Sequence, residues 1–86
     1  MLDFELVLQG VCDIFQKTFG VSIEQTENNR SAPIYKLVSN PNALNTVYFL
    51  LEISRKYRFT LSDDMMEYCT ERSLEEITQK IVNVNN

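Results

Sequence analysis

The stretch Asn40-Pro41-Asn42-Ala43-Leu44-Asn45-Thr46-Val47-Tyr48-Phe49-Leu50-Leu51-Glu52-Ile53-Ser54-Arg55-Lys56-Tyr57 decides the fold. Asn40 is suited to capping a helix, and Pro41 fits a first helical turn, where its missing N–H is no loss. Leu44, Val47, Tyr48, Phe49, Leu50, Leu51 and Ile53 then carry a helix to about Tyr57. These residues are more apolar than one buried face requires, so a surface besides the core has something to contact.

On the N-terminal side, Phe4, Val7, Leu8, Val11, Ile14 and Phe15 recur at the i, i+3, i+4, i+7 spacing of an amphipathic helix from about Asp3 to Thr18. Asp3 is its N-cap and Gly20 its left-handed stop. Gly10 lies inside and costs on the order of 1 kcal/mol relative to alanine. Between Val21 and Asn42 the pattern is lost. Glu24 to Arg30 are polar throughout, and Ile34, Tyr35, Leu37 and Val38 are expected to pin a long loop to the core.

On the C-terminal side, Ser62-Asp63-Asp64 starts a short helix through Met65, Met66 and Cys69, with a capping hydroxyl and two carboxylates at the positive end. Ser73-Leu74-Glu75-Glu76 has the form of a capping box. It opens a last helix with Leu74, Ile77, Ile81 and Val84 on one face, and Asn83 to Asn86 are expected to fray. The reading is an all-α domain spanning residues 1–86, a bundle of four helices with a long first loop and a short third helix.

Composition narrows the function. A formal charge of −4 opposes binding to a nucleic-acid backbone and suits a basic protein partner. The chain has no histidine, which removes the commonest general base and zinc ligand. Cys12 and Cys69 make no disulfide framework and read as buried thiols. There is no glycine-rich phosphate loop, so an enzyme is not expected. No apolar run reaches the roughly 18 residues of a membrane span, and the acidic N-terminus is unlike a signal peptide. The expectation is a cytoplasmic, acidic, non-enzymatic monomer without a metal.

The order of helices, with several short matches, resembles the acyl carrier protein family. Phe19-Gly20-Val21 resembles the Leu-Gly-Val closing that family's first helix. Leu44-Asn45-Thr46-Val47-Tyr48-Phe49 resembles the Leu-Asp-Thr/Ser-Val-Glu-Leu of its second, and Leu51-Glu52-Ile53 and Lys56-Tyr57 match positions further along. Leu61-Ser62-Asp63-Asp64 resembles the Ile-Pro-Asp-Glu before its third helix. Ser73-Leu74-Glu75-Glu76-Ile77 and Ile81 match its last. The family also has a long first loop.

In that family a serine within Asp-Ser-Leu carries phosphopantetheine through a phosphodiester, and the arm's thiol holds an acyl or aminoacyl thioester. The matching residues here are Asn42-Ala43-Leu44. Ala43 has no hydroxyl, so the resemblance implies no attached arm and no cofactor. Ser39 is close but precedes Pro41 and reads as loop. The family's second helix is strongly acidic where this chain has Asn45, Tyr48, Ser54, Arg55 and Lys56, with Glu52 the one carboxylate. Steering toward basic enzymes through this helix should be weakened.

The same correspondence sets Leu44, Tyr48 and Leu51 on one face, which is either a docking stripe or core. Met65, Met66, Tyr68 and Cys69 read either as core packing or as the lining of an adaptable pocket near the family's acyl-chain space. Arg55, Lys56 and Arg58 read as favourable cations at a helix C-terminus or as a contact for an acidic partner. The resemblance therefore implies an arm-less interaction module, docking a biosynthetic or peptide-maturation enzyme through Asn42, Leu44, Asn45, Tyr48, Leu51 and Arg55. The alternative is a genuine acyl or peptidyl carrier whose natural residue at position 43 is serine, with phosphopantetheine attached there.

Overall fold

The computed structural model describes residues 3–39 and 41–85. It is all-α, and among the described residues the only sheet-like pairing is an isolated bridge between Pro33 and Ser73. No helix is long and apolar enough to cross a membrane among the described residues.

Helix α1 runs Phe4–Phe19 between the expected caps. The Asp3 carboxylate accepts from the Glu5 and Leu6 amides at 2.9 and 3.5 Å. Gly20 closes it at φ 66°, donating its amide to the Gln16 carbonyl, in the left-handed region where a glycine has no Cβ to strain. Val7, Leu8, Val11, Cys12, Phe15 and Phe19 are buried, and Phe4 and Ile14 pack partly against them. Gly10 is buried against the end of α4 (defined below). A Cβ there would collide with the Tyr57 hydroxyl and lie 3.3 Å from Lys56 Nζ. The helix-weakening glycine thus makes room for a tyrosine, whose hydroxyl donates to the Val7 carbonyl at 3.5 Å.

The expected long loop is corrected: it contains two short helices, α2 at Glu27–Ser31 and α3 at Ile34–Leu37. The Thr26 hydroxyl caps α2 by accepting from the Asn29 amide at 3.2 Å, and Ser31 Oγ donates to the Glu27 carbonyl at 2.9 Å. Helix α2 buries no residue, so no apolar stripe marks it, and a pair between Arg30 and Glu5 at 3.0 Å links it to α1. In α3, Ile34 is buried and its amide donates to the Arg72 carbonyl at 3.0 Å. Leu37 and Val38 pack against the core as expected. Tyr35 is exposed, because the single turn of α3 already spends its inward position on Ile34.

Helix α4 spans Ala43–Tyr57. Asn40 lies outside the described residues. The cap is Asn42, whose Oδ1 accepts from the Leu44 and Asn45 amides at 2.7 and 3.4 Å. Pro41 therefore precedes the cap rather than filling the first turn, because the short Asn42 side chain bonds the free amides while its own backbone is extended. At the other end Arg58 takes a left-handed turn at φ 51°, and Ser54 Oγ donates to the Phe59 carbonyl at 2.8 Å.

Helix α5 spans Asp63–Glu67, with Ser62 Oγ accepting from the Met65 amide at 3.2 Å. It stops short of Cys69, contrary to expectation. Cys69–Glu71 form a separate 3-10 turn, and the chain then bonds back to Ile34 through Arg72. The tighter turn still delivers Cys69 to the core. Helix α6 spans Leu74–Asn85 and is opened by Ser73 Oγ accepting from the Glu76 amide at 3.0 Å. Leu74, Ile77 and Ile81 are fully buried, whereas Val84 is exposed. The helix includes Asn83, whose Oδ1 accepts from Gln79 Nε2 at 2.9 Å. Asn86 lies outside the described residues.

Helix α1 is the centre of the domain, packed on α4 along one side and α6 along the other. Phe15, Phe19 and Phe49 lock the first of these seams, with ring centroids 4.9 to 5.9 Å apart. Arg72 pairs with Asp64 and lies 3.7 Å from Glu76, joining α5 to α6.

Candidate functional site

Helix α4 turns Phe49, Leu50 and Ile53 into the core, the side that the aromatic seam dictates. The helix is apolar on the opposite side too. Leu44 is 58% exposed, Val47 47%, Tyr48 52% and Leu51 46%, so the stripe read as either docking face or core is surface.

A cleft of about 360 Å³ opens beside this stripe, between the first half of α4 and the segment formed by α5 and the 3-10 turn. Ala43, Val47 and Leu51 form one wall, Leu61 and Met66 the other, and Cys69 lies at its base. Leu50 reaches the cleft from the core side. The one charged residue in the lining is Glu67, and no lysine or arginine contributes to it.

The sequence-predicted residues divide around this cleft. Ala43 is exposed at the first position of α4 and lines the cleft, as does Leu51. Tyr48 faces a smaller recess of about 270 Å³ against α1, formed with Ile14, Lys17, Thr18 and Glu52. Leu44 is exposed but lines neither hollow. Asn42 is occupied as the helix cap, and Asn45 is half-buried. Arg55 lies exposed on Glu52 at 3.3 Å, in neither hollow. Of the basic cluster, Lys56 packs its ammonium 5.5 Å from the Tyr57 ring centroid, and Arg58 caps the helix through its backbone amide.

The methionine segment divides as well. Met65 and Cys69 are core, while Met66 is 55% exposed and Tyr68 is exposed. Both sequence readings of that segment are thus partly right: Met66 and Cys69 line the cleft and Met65 packs the centre. Val47, Leu61 and Glu67 were missed as site residues. The signal for Val47 was available, because it follows Leu44 by one helical turn. Leu61 and Glu67 enter only through the fold.

Both cysteines are free and buried. Burial pushes the Cys69 thiol up to about 11. The Cys12 thiol is also raised, chiefly by burial, with Arg30 opposing and Asp13 adding to the shift. A thiol held near 11, as Cys69 is, is a poor nucleophile at neutral pH. Among the described residues no group of three or more histidine, cysteine or carboxylate side chains is placed to hold a metal ion. The site is an apolar hollow with an exposed apolar helix face beside it.

No protein-family model, curated protein or solved structure matches the chain.

Proposed function

We propose that this chain is an arm-less relative of acyl carrier proteins, a four-helix carrier-like bundle that acts as a non-enzymatic interaction module. Its partner is a protein, in keeping with a biosynthetic or peptide-maturation enzyme, and it docks as a monomer on the outer face of α4. The observation that carries this reading is the position of Ala43. It is the first, exposed residue of α4, followed by the exposed apolar residues Leu44, Val47, Tyr48 and Leu51. A carrier presents its arm at this place, and here the same place presents an apolar surface. Exposed apolar residues grouped on one helix are a signature of interfaces, and a tyrosine among them is a typical anchor.

The second reading, a genuine carrier with serine natively at position 43, is favoured by one observation. The apolar cleft opens directly beside Ala43, where the resemblance would set an acyl chain.

Intact mass of the protein from its native host separates the two. The arm-less reading expects the bare chain with alanine. A chain with serine and phosphopantetheine establishes the carrier reading instead. An Ala43→Ser variant incubated with a broad-specificity phosphopantetheinyl transferase and coenzyme A gives a second readout. The arm-less reading expects little or no loading, because Asn42 lacks the flanking carboxylate and the acidic surface of α4 is reduced to Glu52. Prompt, complete loading would refute that argument.

A further inference from the structure

We infer that the cleft between α4 and α5 receives a large apolar side chain of a basic partner protein, and that a lysine or arginine beside it on that partner pairs with Glu67. This rests on the reading that the α4 face docks a protein, and it names the chemistry of the partner.

The cleft supplies the apolar half of the argument. Its volume of about 360 Å³ is bounded by Val47, Leu51, Leu61 and Met66, with the base formed by Cys69. Val47, Leu51 and Met66 are each about half exposed, so an entering leucine, phenylalanine or methionine would take apolar surface from water on both walls. The unbranched Met66 can adjust to the shape of what enters.

Charge supplies the other half. Glu67 is the sole charged residue of the lining, and Asp63 and Glu71 stand exposed on the same segment of chain. Among the described residues none of these three carboxylates is in an ion pair. Asp64, their neighbour, is already taken by Arg72. The carboxylates that pair elsewhere, Glu5 with Arg30, Glu52 with Arg55 and Glu76 with Arg72, lie outside the cleft lining. The segment that bounds one side of the cleft thus carries three carboxylates outside any ion pair, one of them in the lining, in a chain of net charge −4. An acidic partner would be repelled and a neutral one would leave them uncompensated. A basic rim around an apolar anchor satisfies both features.

Three labelled, end-capped helical peptides test this by fluorescence anisotropy. All carry the same leucine and phenylalanine anchors at helical spacing, flanked by arginine, by glutamine or by glutamate. At physiological ionic strength charges more than about 8 Å apart are screened, so net charge alone does not hold the arginine peptide. The arginine peptide is expected to bind at least about tenfold more tightly than the glutamate peptide. Glu67→Lys should weaken the arginine peptide about tenfold and strengthen the glutamate peptide. Glu24→Lys, the same charge change outside the cleft, should alter either by less than about twofold. Val47→Asp should abolish binding of the arginine peptide, and Leu51→Asp on the same wall serves if that variant does not fold. Equal binding of all three peptides leaves the docking face standing and overturns the charge assignment. Equal effects of Glu67→Lys and Glu24→Lys, or no binding of the arginine peptide, overturn the proposal. The native-host mass is indifferent to these outcomes, so the arm-less reading is judged separately.

Discussion

Gly10→Ala should destabilise the protein, although alanine is the best helix former and glycine among the worst. In an open helix the exchange gains about 1 kcal/mol. Here the new methyl group would press on the Tyr57 hydroxyl, far inside contact distance, with Lys56 Nζ at 3.3 Å and the Tyr57 ring carbon Cζ at 3.4 Å. The aromatic ring is stiff and packed against the core, so it moves as a plate. Overpacking of this kind costs roughly 1–3 kcal/mol, so the net effect is a loss of about 1 kcal/mol. For a domain of this size that is a fall in Tm of about 4–8 °C. The decisive comparison uses Tyr57→Phe. That change gives up only the long 3.5 Å bond to the Val7 carbonyl and removes the obstructing atom, leaving an ordinary contact with Cζ at 3.4 Å and a tight one at 3.3 Å with Lys56 Nζ, the end of a flexible side chain that can give way. In that background Gly10→Ala should raise Tm, returning up to about 1 kcal/mol of helix propensity. A coupling of about 2 kcal/mol between the two sites follows, measured by urea denaturation of the four variants. The reasoning fails if Gly10→Ala raises Tm in the parent protein, or shifts Tm equally in both backgrounds.

Other substitutions test the remaining features. Tyr48→Glu should stay within about 0.5 kcal/mol of the parent, while Phe49→Ala next to it should lose about 3–5 kcal/mol, a contrast thermal melting resolves. Asn42→Ala should cost about 1 kcal/mol by leaving the Leu44 and Asn45 amides uncapped, whereas Asn42→Asp should not, which denaturant midpoints check. Arg58→Gly should stabilise by up to about 1 kcal/mol, since Arg58 holds φ 51°. Burial raises the Cys69 thiol from 9.0 to about 11, so the folded state keeps a proton that the unfolded chain has released. This contribution is intact below pH 9 and is lost as pH rises toward 11, on the order of 2 kcal/mol. Cys69→Ala should flatten that part of the alkaline slope in urea midpoints, leaving what Cys12 and Tyr57 contribute through their own raised values.

The ends of α1 are legible in the sequence because Asp3 and Gly20 act locally, through one carboxylate and one left-handed turn. The start of α4 is less so, since Asn40-Pro41-Asn42 offers two capping side chains two residues apart. Helices α2 and α3 are too short to display a period, and they are held by Thr26, Ser31 and the Arg72 carbonyl rather than by a stripe. On α4 the sequence shows apolar residues all round, which identifies an excess without saying which side is core. That choice is made by Phe15 and Phe19 on another helix, and it turns Phe49 inward and Tyr48 out. The cleft is the least legible feature, because Leu61, Met66 and Cys69 meet Val47 and Leu51 only after the chain has turned back.

The central position of α1 has a consequence for synthesis. Helix α1 is made before both helices it packs on, so its apolar face has no partner within this domain until α4 and then α6 exist, and α6 begins only at Leu74. At translation rates of about 5–20 residues per second, Phe15 and Phe19 wait roughly 3–10 seconds on the ribosome without their full set of neighbours. Closure of this core therefore comes late, once α6 has been made.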